Sequence, residues 1–99
     1  MTSKMIFQPQ RGSNVSVTPS ATSASININP ESKTIRLVNQ GAEVCYVRWG
    51  LGIQAATVND FILRANSEVY VRKGDGENTI AYLSPNGTTL HIQTGDGGF

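Results

Sequence analysis

The sequence predicts an all-β fold: one domain, an antiparallel β-sandwich of about eight short strands, jelly-roll or Ig-like. Three observations predict it. From Asn14 onward, runs of five or six residues alternate β-branched or aromatic side chains with polar ones. Each run is closed by Gly, Asn, Asp or Pro. No segment between the runs repeats its apolar residues at helical spacing over the length of a stable helix. A chain of 99 residues holds one modest core and buries roughly two-thirds of its unfolded surface.

In chain order, residues 1–33 are rich in Ser, Thr, Asn and Pro. Within them the short alternating runs at 14–18 and 24–29 are bounded by Pro19 and Pro30. Proline cannot donate to a ladder, so these runs read as edge strands or as an arm. Residues 34–99 carry the sandwich core. Its stronger runs lie at 34–39, 44–49, 55–58, 61–64, 68–73, 79–83 and 88–93. Between them, residues 39–41, 50–52, 59–60, 66–67, 73–76 and 85–87 supply side chains that tolerate positive φ or bond their own backbone. Asn86-Gly87 carries the clearest hairpin signal. The stretch 53–73 lacks Gly and Pro, but Glu68-Val69-Tyr70-Val71-Arg72 alternates too regularly for a helix.

Composition narrows the function. The charged fraction is 15%, against about a quarter in an average domain, and uncharged polar residues fill the difference. Such a surface is cheap to desolvate against another protein. With 8 basic and 7 acidic residues spread along the chain, the long-range positive field of a nucleic-acid binder is missing. No nucleic-acid partner is expected. No apolar stretch has the length of a signal peptide or a membrane span, so no membrane partner and no export are expected either. The single Cys45 has no intrachain disulfide partner and sits in an alternating run, which marks it as a small buried hydrophobe.

Alternation sorts the faces. Ile35 and Leu37, Val69 and Val71, and Leu90 and Ile92 share the apolar parity and should point between the sheets. Cys45, Val47 and Trp49 take the inward parity of their run, leaving Val44, Tyr46 and Arg48 outward. The expected outer face therefore holds Arg36, Tyr46, Arg48, Tyr70 and Arg72. Arg and Tyr are the side chains most enriched where one protein anchors another. These five, with Phe7 in the candidate arm and Phe99 at the C-terminus, are the candidate protein-interface residues.

Catalytic chemistry finds few candidates. His91 falls on an outward position, with no Cys, Glu or Asp near it at a ligand spacing, and no nucleophile-elbow motif is present. Gly74-Asp75-Gly76-Glu77-Asn78 offers oxygen ligands but lacks the twelve-residue calcium-loop pattern, and reads as a hairpin turn. The tail Gly95-Asp96-Gly97-Gly98-Phe99 has neither the Lys nor the helix of a phosphate loop. No catalytic residue, cofactor or metal is expected, and the chain does not read as an enzyme.

The order of motifs resembles a known family. Thr18-Pro19-Ser20-Ala21-Thr22-Ser23-Ala24-Ser25-Ile26 is followed by Ile35-Arg36-Leu37-Val38-Asn39-Gln40-Gly41, then Cys45-Tyr46-Val47-Arg48-Trp49-Gly50, Glu68-Val69-Tyr70-Val71, Ile80-Ala81-Tyr82-Leu83 and a closing Gly95-Asp96-Gly97. Together these resemble small β-sandwich virion proteins of tailed bacteriophages. Members usually close on Gly-Glu-Gly, where this chain has Asp96 and an appended Phe99. The resemblance implies a capsid decoration (cement) protein, bound to the outer capsid surface and bridging major capsid subunits, as a dimer or trimer. It implies a location on the virion after synthesis in the host cytoplasm. Two alternatives stand beside it: a tail or neck component of the virion, and a carbohydrate-binding module stacking Trp49, Tyr46 and Tyr70 on sugar rings.

Overall fold

The computed structural model describes residues 8–9 and 14–96. Among them nine strands form: β1 (Gln8–Pro9), β2 (Val15–Val17), β3 (Ala24–Asn27), β4 (Thr34–Asn39), β5 (Cys45–Gly50), β6 (Phe61–Leu63), β7 (Ser67–Arg72), β8 (Thr79–Leu83) and β9 (Leu90–Asp96). None of the described residues is helical. β4 and β8 have the bounds that alternation predicts, 34–39 and 79–83. The predicted strand at 55–58 is not formed, and residues 51–60 are a loop.

The strands build two antiparallel sheets. In the first, β9 lies between β4 and the pair β1 and β2, and β7 closes the far edge; in the second the order is β3-β8-β5-β6. Hence β2 pairs with β9, β3 with β8, β4 with β7 and β5 with β6. The pairs are nested. The chain is one long antiparallel ribbon, turned back on itself at 51–60 and wrapped around a core, which is the jelly-roll arrangement and not the Ig-like one. The runs around Pro19 take the two sheet edges, β2 in the first sheet and β3 in the second.

This wrapping corrects two expectations about turns. Residues 74–78 and the Asn86-Gly87 turn were expected to make hairpins, yet the first carries the chain from β7 to β8 and the second from β8 to β9, each a change of sheet. A tight positive-φ turn serves either purpose, because local turn chemistry does not register which strand the chain meets next. Gly87 has φ 83°, and its N–H donates to the Ser84 carbonyl oxygen at 3.1 Å. Among the described strands that follow one another in sequence, only β5 and β6 pair directly.

The core lies between the sheets. Ile35, Leu37, Leu90 and Ile92 from the first sheet meet Cys45, Val47, Leu63, Ile80 and Tyr82 from the second. Ile35, Leu37, Ile80 and Leu90 are wholly buried, each contributing about 1.5–3 kcal/mol. Trp49 is partly buried against the same cluster, and its ring meets that of Phe61 edge-on, with centroids 5.8 Å apart. Cys45 is fully buried, and burial pushes its thiol up to about 11.

Buried polar groups close the ends of the sandwich. Lys73 is buried, and its Nζ donates to the carbonyl oxygens of Pro30 at 2.8 Å and Gly74 at 3.3 Å. Burial holds that ammonium below the ordinary lysine range. At the other end Ser84 Oγ donates to the Val44 carbonyl oxygen at 2.7 Å.

Candidate interaction surface

The two outer faces differ. On the first sheet, ladder register sets three rows across the strands: Ser16, His91, Val38 and Glu68; Gln93, Arg36 and Tyr70; and Gly95, Thr34 and Arg72. In the first two rows no residue is buried, and Glu68, Tyr70 and Arg72 at the β7 edge are exposed. The β7 side of this face holds a clamped carboxylate. Glu68 Oε2 accepts from Arg36 Nε and, at 3.2 Å, from the Tyr70 hydroxyl. The Arg36 hydrogen bond holds the Glu68 carboxyl below the usual carboxylate range, and Glu68 in turn raises the guanidinium. His91 Nε2 lies 2.8 Å from Gln40 Oε1, which uses the ring as a surface hydrogen-bonding group.

The outer face of the second sheet carries a roof. Residues 51–60 fold back across it, placing Ala56 on Ala81 and Leu83, and these three form a second apolar cluster. The Ala56 N–H donates to Ser23 Oγ at 2.8 Å, which ties the roof to the segment before β3. Arg48 props it from below, donating from Nε to Gln54 Oε1 at 3.0 Å and lying 3.8 Å from Asp60 Oδ1. Gly50 lies close under the roof, where a Cβ would stand 2.7 Å from Gln54 Nε2 and push that side chain aside. Asp60 Oδ2 accepts from the Thr57 N–H at 2.7 Å and closes the turn into β6. Above the roof and along β6, Leu51, Ile53, Val58, Phe61 and Ile62 are exposed, Ile53 at 99%.

The expected single face of Arg36, Tyr46, Arg48, Tyr70 and Arg72 is therefore divided. Arg36, Tyr70 and Arg72 share the outer face of the first sheet. Tyr46 and Arg48 lie on the opposite side of the molecule, on the outer face of the second sheet, beside Leu83 and Ala81. Alternation assigns a residue to a parity within its strand, and strands of both sheets obey the same rule, so parity alone cannot tell two outward faces apart. The three-ring platform for a sugar is not assembled either. Trp49 points inward, and Tyr46 and Tyr70 occupy opposite faces. Phe7 and Phe99 lie outside the described residues.

Sequence reasoning passed over the apolar group at 51–62. The signal was present in Leu51, Ile53, Val58, Phe61 and Ile62, but assigning 55–58 to a strand spent part of it on an expected core. Among the described residues no three His, Cys, Asp or Glu side chains are grouped to hold a metal ion. No helix among them is long and apolar enough to cross a membrane.

Comparison with known proteins defines the class by fold alone. No protein-family model matches the chain, and no curated protein sequence matches it. The chain is similar to a solved structure, the crystal structure of PirA, with a TM-score of 0.59 and 9% sequence identity, over 86% of this chain and 95% of that one. At that identity the likeness concerns the β-sandwich only.

Proposed function

We propose that the chain is a structural protein of a bacteriophage virion: a capsid decoration protein that binds the outer capsid surface and bridges major capsid subunits. It acts by binding, not by catalysis, and its partners are the major capsid protein and further copies of itself. The observation that carries the reading is the asymmetry of the sandwich. One outer face is roofed by its own loop, while the other, among the described residues, is a plane of Arg36, Glu68, Tyr70, Arg72, His91, Gln40 and Gln93 with no such cover. A broad plane of Arg, Tyr and neutral amides suits a protein surface, because Arg and Tyr anchor well and the amides desolvate cheaply. Many identical copies on one particle let a modest site act through avidity. The resemblance of the motif order to that of phage β-sandwich proteins points to the same reading.

The test is co-sedimentation of the purified chain with phage heads lacking it, followed by cryo-electron microscopy of the pellet. Density at regular positions between major capsid subunits, with the Tyr70 and Arg72 face inward, is the expected result. Density confined to the portal vertex overturns the decoration reading in favour of the neck or tail. Absence of binding overturns the virion reading altogether.

A further inference from the structure

Among the described residues, β6 is an edge strand with no second strand beside it, although its Leu63 carbonyl oxygen is held by Asn39. Sheet edges expose unpaired N–H and C=O groups, and soluble proteins blunt them with charge, proline or a covering segment. The β7 edge carries Glu68, Tyr70 and Arg72, β1 contains Pro9, and the edge strands β2 and β3 present polar Ser16, Ser25 and Asn27 on their outer faces. β6 is Phe61-Ile62-Leu63, with no charge, Pro or Gly. Its one sheet neighbour is β5, and Phe61 and Ile62 are 41% and 47% exposed. Leu51, Ile53 and Val58 add exposed apolar surface to the same β5–β6 unit. Clusters of this kind mark association sites.

We propose that β6 pairs with β6 of a second copy across a two-fold axis at Ile62, joining the two four-stranded sheets into one. The charges select this occupant and this register. In an antiparallel pair, directly opposite residues share a face, so inward Phe61 and Leu63 must meet inward residues and outward Ile62 an outward one. Three two-fold centres satisfy this. A centre at Phe61 sets Ile62 against Asp60, and a centre at Leu63 sets Ile62 against Arg64. The centre at Ile62 sets Ile62 on itself, Phe61 on Leu63, and Asp60 on Arg64 of the second copy. Only that register matches apolar with apolar and acid with base, and it does so twice, as an isologous interface requires. Arg64 is the free member of the pair; the Asp60 side chain is 19% exposed and holds Thr57 through Oδ2, so it is Oδ1 that the second copy would meet. Arg64 is exposed and has no acidic partner among the described residues. Asp60 Oδ1 has Arg48 only at 3.8 Å.

This inference stands on the edge strand alone, so failure of capsid binding leaves it intact. The test is sedimentation equilibrium of the full chain over a concentration series. The expected result is a reversible dimer of the 10.6 kDa chain. Ile62→Lys puts like charges on the axis, and Arg64→Glu sets two acids together. Each should raise the dissociation constant at least about tenfold while circular dichroism stays unchanged. Should either variant fold poorly, Ile62→Cys decides. Mild oxidation should give a covalent dimer in high yield, whereas Tyr70→Cys, on the other sheet, should give none. A chain that stays monomeric, a trimer, a dimer indifferent to both charge variants, or equal cross-linking at both cysteines would overturn the proposal.

Discussion

Asn39 and Leu63 tie the two sheets together: Asn39 Nδ2, on β4, donates to the carbonyl oxygen of Leu63, at the end of β6, at 3.1 Å. Asn39 is wholly buried, and its amide is fully used. The same Nδ2 donates to the Glu43 carbonyl oxygen at 2.8 Å, and Oδ1 accepts from the Gly41 N–H at 3.1 Å and from Thr88 Oγ1 at 2.7 Å. A sandwich core of aliphatic side chains holds its sheets without direction, whereas this amide fixes their relative position at one end.

Asn39→Leu keeps the branched shape, with somewhat more bulk, and strands four polar groups at a buried site. Each unpaired group costs about 1–3 kcal/mol, reduced where water reaches the sandwich end. A loss of about 3–5 kcal/mol is expected in urea unfolding, a large share of a total stability of about 5–15 kcal/mol. A loss under about 1 kcal/mol would show that the amide is replaceable.

Gly41 is required by space and Gly52 by conformation, and the two substitutions should separate. A Cβ on Gly41 would lie 1.8 Å from Thr88 Oγ1 and 3.0 Å from the backbone nitrogen of Thr89. Thr88 is already engaged by Asn39, so the clash cannot be relieved by a rotamer change without breaking that bond. Gly52 has φ 78° and nothing within 4 Å of such a Cβ. Gly41→Ala should cost about 2–3 kcal/mol, and Gly52→Ala about 1 kcal/mol. Thermal melts of the two variants check the order.

The Glu68 clamp gives a pH signature. Its folded carboxyl is held below the ordinary range by Arg36 and Tyr70, so its contribution is complete above the unfolded value of about 4.3. The contribution is lost as pH falls through the lower folded value. The Glu68 side chain is 43% exposed, and solvent screening limits the pair to under about 1 kcal/mol. Glu68→Gln should therefore be slightly less stable than the parent at pH 7 and indistinguishable from it in strong acid. A difference that persists in acid would place the effect in packing.

Cys45 should be silent in the native state. With the thiol buried and its pKa pushed up to about 11, only about a thousandth is thiolate at pH 8. Labelling by a thiol reagent at pH 8 should follow global unfolding and become immediate in denaturant. Rapid stoichiometric labelling of the native protein would show an opening at the Cys45–Leu63 ladder.

Alternation revealed most of the fold because β4, β5, β7 and β9 repeat it, whereas β8 is buried along its whole length. The inward residues Ile35, Leu37, Val69, Val71, Leu90 and Ile92 were readable from parity, as was Cys45. What parity does not carry is which sheet a strand joins. That information resides in contacts far apart in sequence, such as Val15 on Ile92 or Ile26 on Ile80. The division of Tyr46 and Arg48 from Arg36 and Tyr70 follows from this. The roof was misread for a local reason: the Ala55-Ala56-Thr57-Val58 run looks like a strand because Ala56 is buried, yet it is buried against the outside of a sheet.

The roof itself gives the last prediction. Ala56 rests on Ala81, which is wholly buried although it points away from the main core. The fit depends on two small side chains meeting, so Ala81→Leu adds volume where nothing can yield except the loop. It should cost about 1–3 kcal/mol. Ser23→Ala removes only the acceptor of the Ala56 N–H, and so opens the roof while leaving the ladders intact. Hydrogen exchange should separate the two effects. In Ser23→Ala the Ala56 amide should exchange much faster while the amides of β4 and β9 keep their protection, because local opening and global unfolding draw on different free energies. Equal acceleration at all of these sites would mean that the roof and the sandwich form one cooperative unit, with Ala56, Ala81 and Leu83 an extension of the core.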